Sequence, residues 1–170
     1  MKRFRAYGLQ LVIAFVLLTY TSVYAQIAKS APQEPKTKLE AFETQTGTVM
    51  IKGYQDIGSV SGLGTVSVEC MEFTDAATGR RQMGIVIDVK ASGRLEREGR
   101  SFIDYDEIDP LLKGIDYISK VTSASTKLGN FEAIYKTKGD FSVTTFSGSS
   151  GKVEAAIKAG YIGGQQHTFL

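Results

Sequence analysis

Outside its first 25 residues the chain carries one long helical pattern, between Ser101 and Lys120. Ile108, Leu111, Leu112, Ile115 and Ile118 recur at i, i+3, i+4, i+7 and i+10, which sets five apolar side chains on one stripe of a helix. Glu107, Asp109, Lys113, Asp116 and Lys120 take the other face. Pro110 has no N–H to give and pushes the residue before it out of the helical region, so the pattern predicts a helix from Pro110 to Lys120 with Asp109 as its N-cap. Asp109/Lys113 and Asp116/Lys120 are acid-before-base pairs one turn apart and support it. Gly114 costs such a helix about 1 kcal/mol, so its presence asks for close packing at that point. Ser101 to Asp106 reads as a strand entering the helix, with Phe102 and Asp104 on one face and Ile103 and Tyr105 on the other.

The remaining pattern has period two. Leu39 to Gln45 is compatible with a short helix or a first strand, and Gly47 to Gly53 reads as a strand followed by turns at Gly58, Gly62 and Gly64. Val66, Val68 and Cys70 alternate with Thr65, Ser67 and Glu69; Phe73 falls on the Thr65 face, so either that face is also covered or a bulge shifts the register near Cys70. A turn at Asp75 to Gly79 returns the chain through Met83, Ile85, Ile87 and Val89, and the charged stretch Lys90 to Arg100 reads as an exposed turn. After the helix, Phe131, Ala133 and Tyr135 lead to a two-residue hairpin turn at Gly139-Asp140, of the kind that tolerates positive φ, and back through Phe141, Val143 and Thr145. Ser147 to Lys152 turns again into Val153, Ala155 and Ile157, and Gly160 to Leu170 supplies a last edge strand. The expected class is therefore α+β: an antiparallel sheet of about six to eight strands, with a half-barrel as one way of curling it, and one amphipathic helix packed on a face.

Composition changes this picture mainly at the start of the chain. Lys2, Arg3 and Arg5 precede the apolar run Leu9 to Leu18, and Val23-Tyr24-Ala25 forms a small-x-small exit: the pattern of a secretory signal peptide over 1–25, cleaved between Ala25 and Gln26. The apolar run is well short of the roughly 20 residues a membrane span needs, so contact with the membrane is expected only through this leader before cleavage. Residues 26–38, with two of the three prolines, read as a flexible linker, and 39–170 as a single domain. The chain has 20 Lys and Arg against 18 Asp and Glu, and the leader holds three of the basic ones; its loss leaves 17 against 18, a net charge of −1. The basic balance belongs to the leader, which removes the clustered positive charge that a nucleic-acid partner would require.

Candidate chemistry is sparse. Cys70 is the only cysteine, so no intrachain disulfide forms; in an alternating strand it reads first as a small buried hydrophobe and second as an intermolecular or reactive thiol. His167 is the only histidine and stands three residues from the end, so neither a Cys/His zinc site nor a Ser-His-Asp triad is expected. Gly58, Gly62 and Gly64 precede a strand and not a helix, and SGSSGK at 147–152 lacks the spacing of a phosphate loop; its Ser149-x-x-Lys152 lacks partner motifs. The acids Asp104, Asp106, Glu107 and Asp109 have hard oxygen ligands at a spacing that suits Ca²⁺ or paired-carboxylate chemistry, although Asp109 and Ile115 stand where an EF-hand needs glycine and glutamate. Acids also gather at helix starts for dipole reasons alone. No cofactor is expected. The leading expectation is an exported, non-catalytic binding or envelope-associated module, in the periplasm or outside the cell; the alternative is an exported hydrolase or Ca²⁺-binding protein built on Asp104, Asp106, Glu107 and Asp109.

Overall fold

The described residues form two four-stranded antiparallel sheets and two α-helices. The computed structural model describes residues 34–91, 97–148, 152–160 and 167–169. The leader expected at 1–25 and most of the linker expected at 26–38 lie outside them. In chain order the elements are α1 (Lys38–Glu43), β1 (Met50–Ser61), β2 (Gly64–Asp75), β3 (Arg81–Ala91), β4 (Arg97–Asp104), α2 (Ile108–Ser119), β5 (Glu132–Lys136), β6 (Ser142–Ser147), β7 (Val153–Ala159) and β8 (His167–Phe169). Strands β1 to β4 form one sheet in that order and β5 to β8 the other. The expected strands are thus divided between two sheets, and neither closes into a barrel. The reason lies in the connection: the chain leaves β4 through α2, so β5 opens a second sheet instead of pairing beside β4.

The first sheet is covered on two sides. Leu39, Met71, Phe73, Val86 and Phe102 form one buried cluster, with Phe42 and Met50 packed against it, so α1 is the cover over Phe73. No bulge interrupts β2 against β3, and of the two explanations for Phe73 the covered face is the one observed. On the opposite face Ile87, Val89 and Ile103 join Leu111, Phe141 and Ala159, with Ile108, Ile115, Tyr135, Val143 and Ile157 packed around them. The sheets approach one another closely at one corner. Gly160 donates its N–H to Ser101 Oγ at 2.7 Å, and a Cβ on Gly99 would stand 3.1–3.2 Å from Ala159.

Three expectations are corrected in detail. First, β1 does not stop at Gly53 but runs to Ser61, because Gly58 takes φ +150° and absorbs a bulge between Asp56 and Gly58 that a side chain would strain. Second, helix begins before Pro110: a 3-10 turn over Tyr105–Glu107 feeds α2, whose N-cap is Glu107. Pro110 then occupies the third helical position, where an N–H has no intrahelical partner and its loss costs nothing. Third, the stripe is narrower than its spacing. Leu111 and Ile118 are buried and Ile108 and Ile115 half-buried, but Leu112 is 59% exposed. At 100° per residue it stands roughly 80° from the mean direction of the other four, on the shoulder of the helix. Gly114 does meet close packing: a Cβ there would stand 2.2–2.6 Å from the Tyr135 ring. Among the described residues no helix is long and apolar enough to cross a membrane.

Candidate functional site

The outer face of the second sheet carries a concavity. Tyr135, Val143 and Ile157 point into the shared core, so by the two-residue alternation of strands their neighbours point away from it. The register sets those neighbours in three rows across β5, β6 and β7: Lys136, Ser142 and Lys158; Ile134, Thr144 and Ala156; Glu132, Phe146 and Glu154. All of these but Glu154 line an open trough of about 780 Å³, joined at one rim by Asn130, Phe131 and Ser147. Small side chains make its floor, since Ser142 and Ala156 are buried while Ile134 and Lys136 stand exposed on the flank. The rim is braced: Phe131 N–H donates to Ser147 Oγ at 3.1 Å, and Ser147 Oγ donates to Asn130 Oδ1 at 3.3 Å. One end of the trough is basic, its middle is apolar, and a carboxylate closes the other end. Hydroxyls from Ser142, Thr144 and Ser147 are interspersed. Such a surface suits a ligand with an apolar body and an anionic group.

The acids singled out in the sequence are dispersed by the fold to separate tasks. Asp104 is 1% exposed, and its two oxygens accept the backbone N–H groups of Lys38 and Leu39 at 3.0 and 2.9 Å. Thr37 Oγ1 accepts the N–H of Glu40 at 3.1 Å, so the first three donors of α1 are satisfied by two side chains. The carboxylate of Asp106 turns outward to Lys38 Nζ at 3.0 Å. The hydrogen bond from Lys38 holds the Asp106 carboxyl below the usual carboxylate range and raises the Lys38 ammonium in return. Glu107 reaches the other way, accepting the N–H of Lys138 at 3.1 Å through Oε1, while its buried Oε2 finds no hydrogen-bond partner among the described residues. Asp109 is exposed. Among the described residues no three His, Cys, Asp or Glu side chains converge as a metal-ligating group.

Cys70 is half-buried on β2, opposite Gln55 and Ile85. His167 starts edge strand β8 opposite Ala159, with its side chain outside the described residues. Gly58 lies inside a strand, and Ser149 is outside the described residues. Two polar features escaped sequence reading. Asp88 and Arg100 make a two-pronged ion pair of 2.7 and 2.8 Å between β3 and β4. Asp75 gathers the turn after β2, where hydrogen bonds from the Thr78 hydroxyl, the Ala77 N–H and the Thr48 hydroxyl hold its carboxyl below the usual range. The trough itself was hidden because its residues come from three strands. Their alternation was visible; which face would be left open was not. Compared with protein-family models, with curated proteins and with solved structures, the chain matches none.

Proposed function

We propose that this is an exported, non-catalytic binding module, released by cleavage between Ala25 and Gln26, that takes amphiphilic anionic molecules on the outer face of its second sheet. The observation that carries the reading is the trough over Ile134, Thr144 and Ala156 with Lys136 and Lys158 at one end. Apolar contact along Phe131, Ile134 and Phe146 supplies affinity, and the two lysines orient the charged end. Export rests on the leader pattern, and the non-catalytic character on the scarcity of His and Cys. A titration with anilinonaphthalene sulfonate, an aromatic body bearing one anion, tests the site. Binding should weaken by about tenfold in Phe146→Ala and again in Lys136→Glu, at about 1.4 kcal/mol per decade, while Tyr117→Ala on α2 leaves it unchanged. Equal binding by all four proteins defeats the assignment. Mass spectrometry of the chain recovered from cell fractions checks the export half, with Gln26 as the expected first residue.

The reading as a hydrolase or Ca²⁺ protein at Asp104, Asp106, Glu107 and Asp109 draws its one support from the unpartnered Glu107 Oε2. It has the weaker case, since Asp104 spends both oxygens on α1. A rise in melting temperature on adding Ca²⁺ would revive it.

A further inference from the structure

Strand β1 is the edge of the first sheet, twelve residues long, and among the described residues only β2 pairs with it. An edge of this length presents a row of unpaired backbone donors and acceptors, which proteins usually blunt or pair. It is also unusually apolar for a surface: Ile51, Tyr54, Ile57 and Val60 are 58–74% exposed. The order of residues along it shows what fits there. Around Tyr54 the segment Ile51-Lys52-Gly53-Tyr54-Gln55-Asp56-Ile57 is symmetric in character, with isoleucine at three residues on either side and opposite charges at two. An antiparallel strand brought up to its own copy about Tyr54 places Lys52 opposite Asp56 twice, Ile51 opposite Ile57 twice, and Tyr54 beside Tyr54.

The charges in the single chain point the same way. Asp56 lies directly opposite Glu69 in the β1–β2 register; among the described residues no cation comes within ion-pair distance of either carboxylate, and Arg100, which acts on Glu69 from farther off, is paired with Asp88. Like charges at directly opposed positions are unfavourable. Lys52 is the only cation on β1; its Nζ lies 3.8 Å from a partly exposed Glu43 carboxylate and 5.7 Å from the Phe73 ring centroid. Lys52, Tyr54 and Asp56 alternate onto one face of the sheet. A twofold axis normal to that face keeps all three on it, and each copy's lysine then meets the other's acid pair.

We infer that β1 is a self-association edge: two copies of this chain join antiparallel through Ile51 to Ile57 with the axis at Tyr54, making one eight-stranded sheet from two first sheets. The contact is isologous, so it closes at a dimer and uses up the β1 edge, leaving the two β4 strands as the outer edges of the joined sheet. It uses neither the second sheet nor its trough and stands independently of the binding proposal.

Sedimentation of the purified chain should show a monomer–dimer equilibrium at about 10–100 µM, as suits a small interface. Asp56→Lys would oppose two lysines at each pair and Lys52→Asp two acids, so each single variant should raise the dimer dissociation constant by about tenfold or more. An equimolar mixture of the two single variants restores both opposite-charge pairs and should recover the dimer, as should the swapped Lys52→Asp/Asp56→Lys chain alone. Recovery in the mixture also shows that neither variant had lost its fold. A parent chain that stays monomeric, an assembly larger than a dimer or containing a foreign chain, single variants that dimerise like the parent, or a mixture that fails to recover would each overturn the inference.

Discussion

Removing the Asp104 carboxylate should undock α1. In Asp104→Ala a partly buried N–H group, of Lys38, and a buried one, of Leu39, lose a charged acceptor. Hydrogen bonds to charged groups contribute about 1.5–3 kcal/mol each, so retaining α1 in place would cost about 3–6 kcal/mol. The structure has a cheaper escape. A helix of six residues is too short to persist alone, and it is held by its caps and by Leu39, which is fully buried. Above a certain cost it detaches, so the loss is capped at the free energy that docks it. We expect about 3 kcal/mol in urea unfolding, a midpoint lower by about 1.5 M at a slope near 2 kcal/mol per M. Leu39→Ala alone should cost about 2–3 kcal/mol, the lower part of the usual range for a buried leucine, because the same ceiling applies. The double variant should cost far less than the sum, because both changes act through one docking event. Native-state hydrogen exchange should show the amides of α1 losing protection while those of β3 keep theirs. A midpoint within about 0.3 M of the parent, or strict additivity with Leu39→Ala, would refute the reasoning.

Two further outcomes follow from packing and from titration. Gly114→Ala should gain up to about 1 kcal/mol in helix propensity but lose about 1–3 kcal/mol to the clash with the Tyr135 ring; in a Tyr135→Ala background the same change should become stabilising, and thermal unfolding of the four proteins checks the reversal of sign. The depressed carboxyls of Asp75 and Asp106 bind protons less readily folded than unfolded, so their stabilising effect is complete above the ordinary carboxylate range and fades as pH falls through their lowered values. Melting temperature should therefore drop on acidification below about pH 4, and Asp75→Asn should make that drop shallower.

The sequence by itself determined the elements wherever a local rule decided them. The period-two runs became strands, a hairpin turn formed around Gly139-Asp140 with Asp140 at φ 61°, though its loop spans Thr137 to Phe141 and is not the two-residue turn expected, and the stripe Ile108 to Ile118 became a helix with Gly114 against a ring. These outcomes depend on side-chain spacing and on a residue's own backbone preferences, which any reader of the chain can see. Tertiary structure alone decided what those rules leave open. Whether Leu39 to Gln45 would coil was settled by Asp104, 65 residues away from Leu39, which supplies the acceptor that a six-residue helix lacks. The division into two sheets depended on where α2 returned the chain, and the trough on which of two alternating faces remained uncovered. The acids after β4 looked like one cluster because they are neighbours in sequence. A strand, a 3-10 turn and a helix meet there, and each change of backbone geometry turns the next carboxylate in a new direction, so residues adjacent along the chain serve partners on opposite sides of the fold.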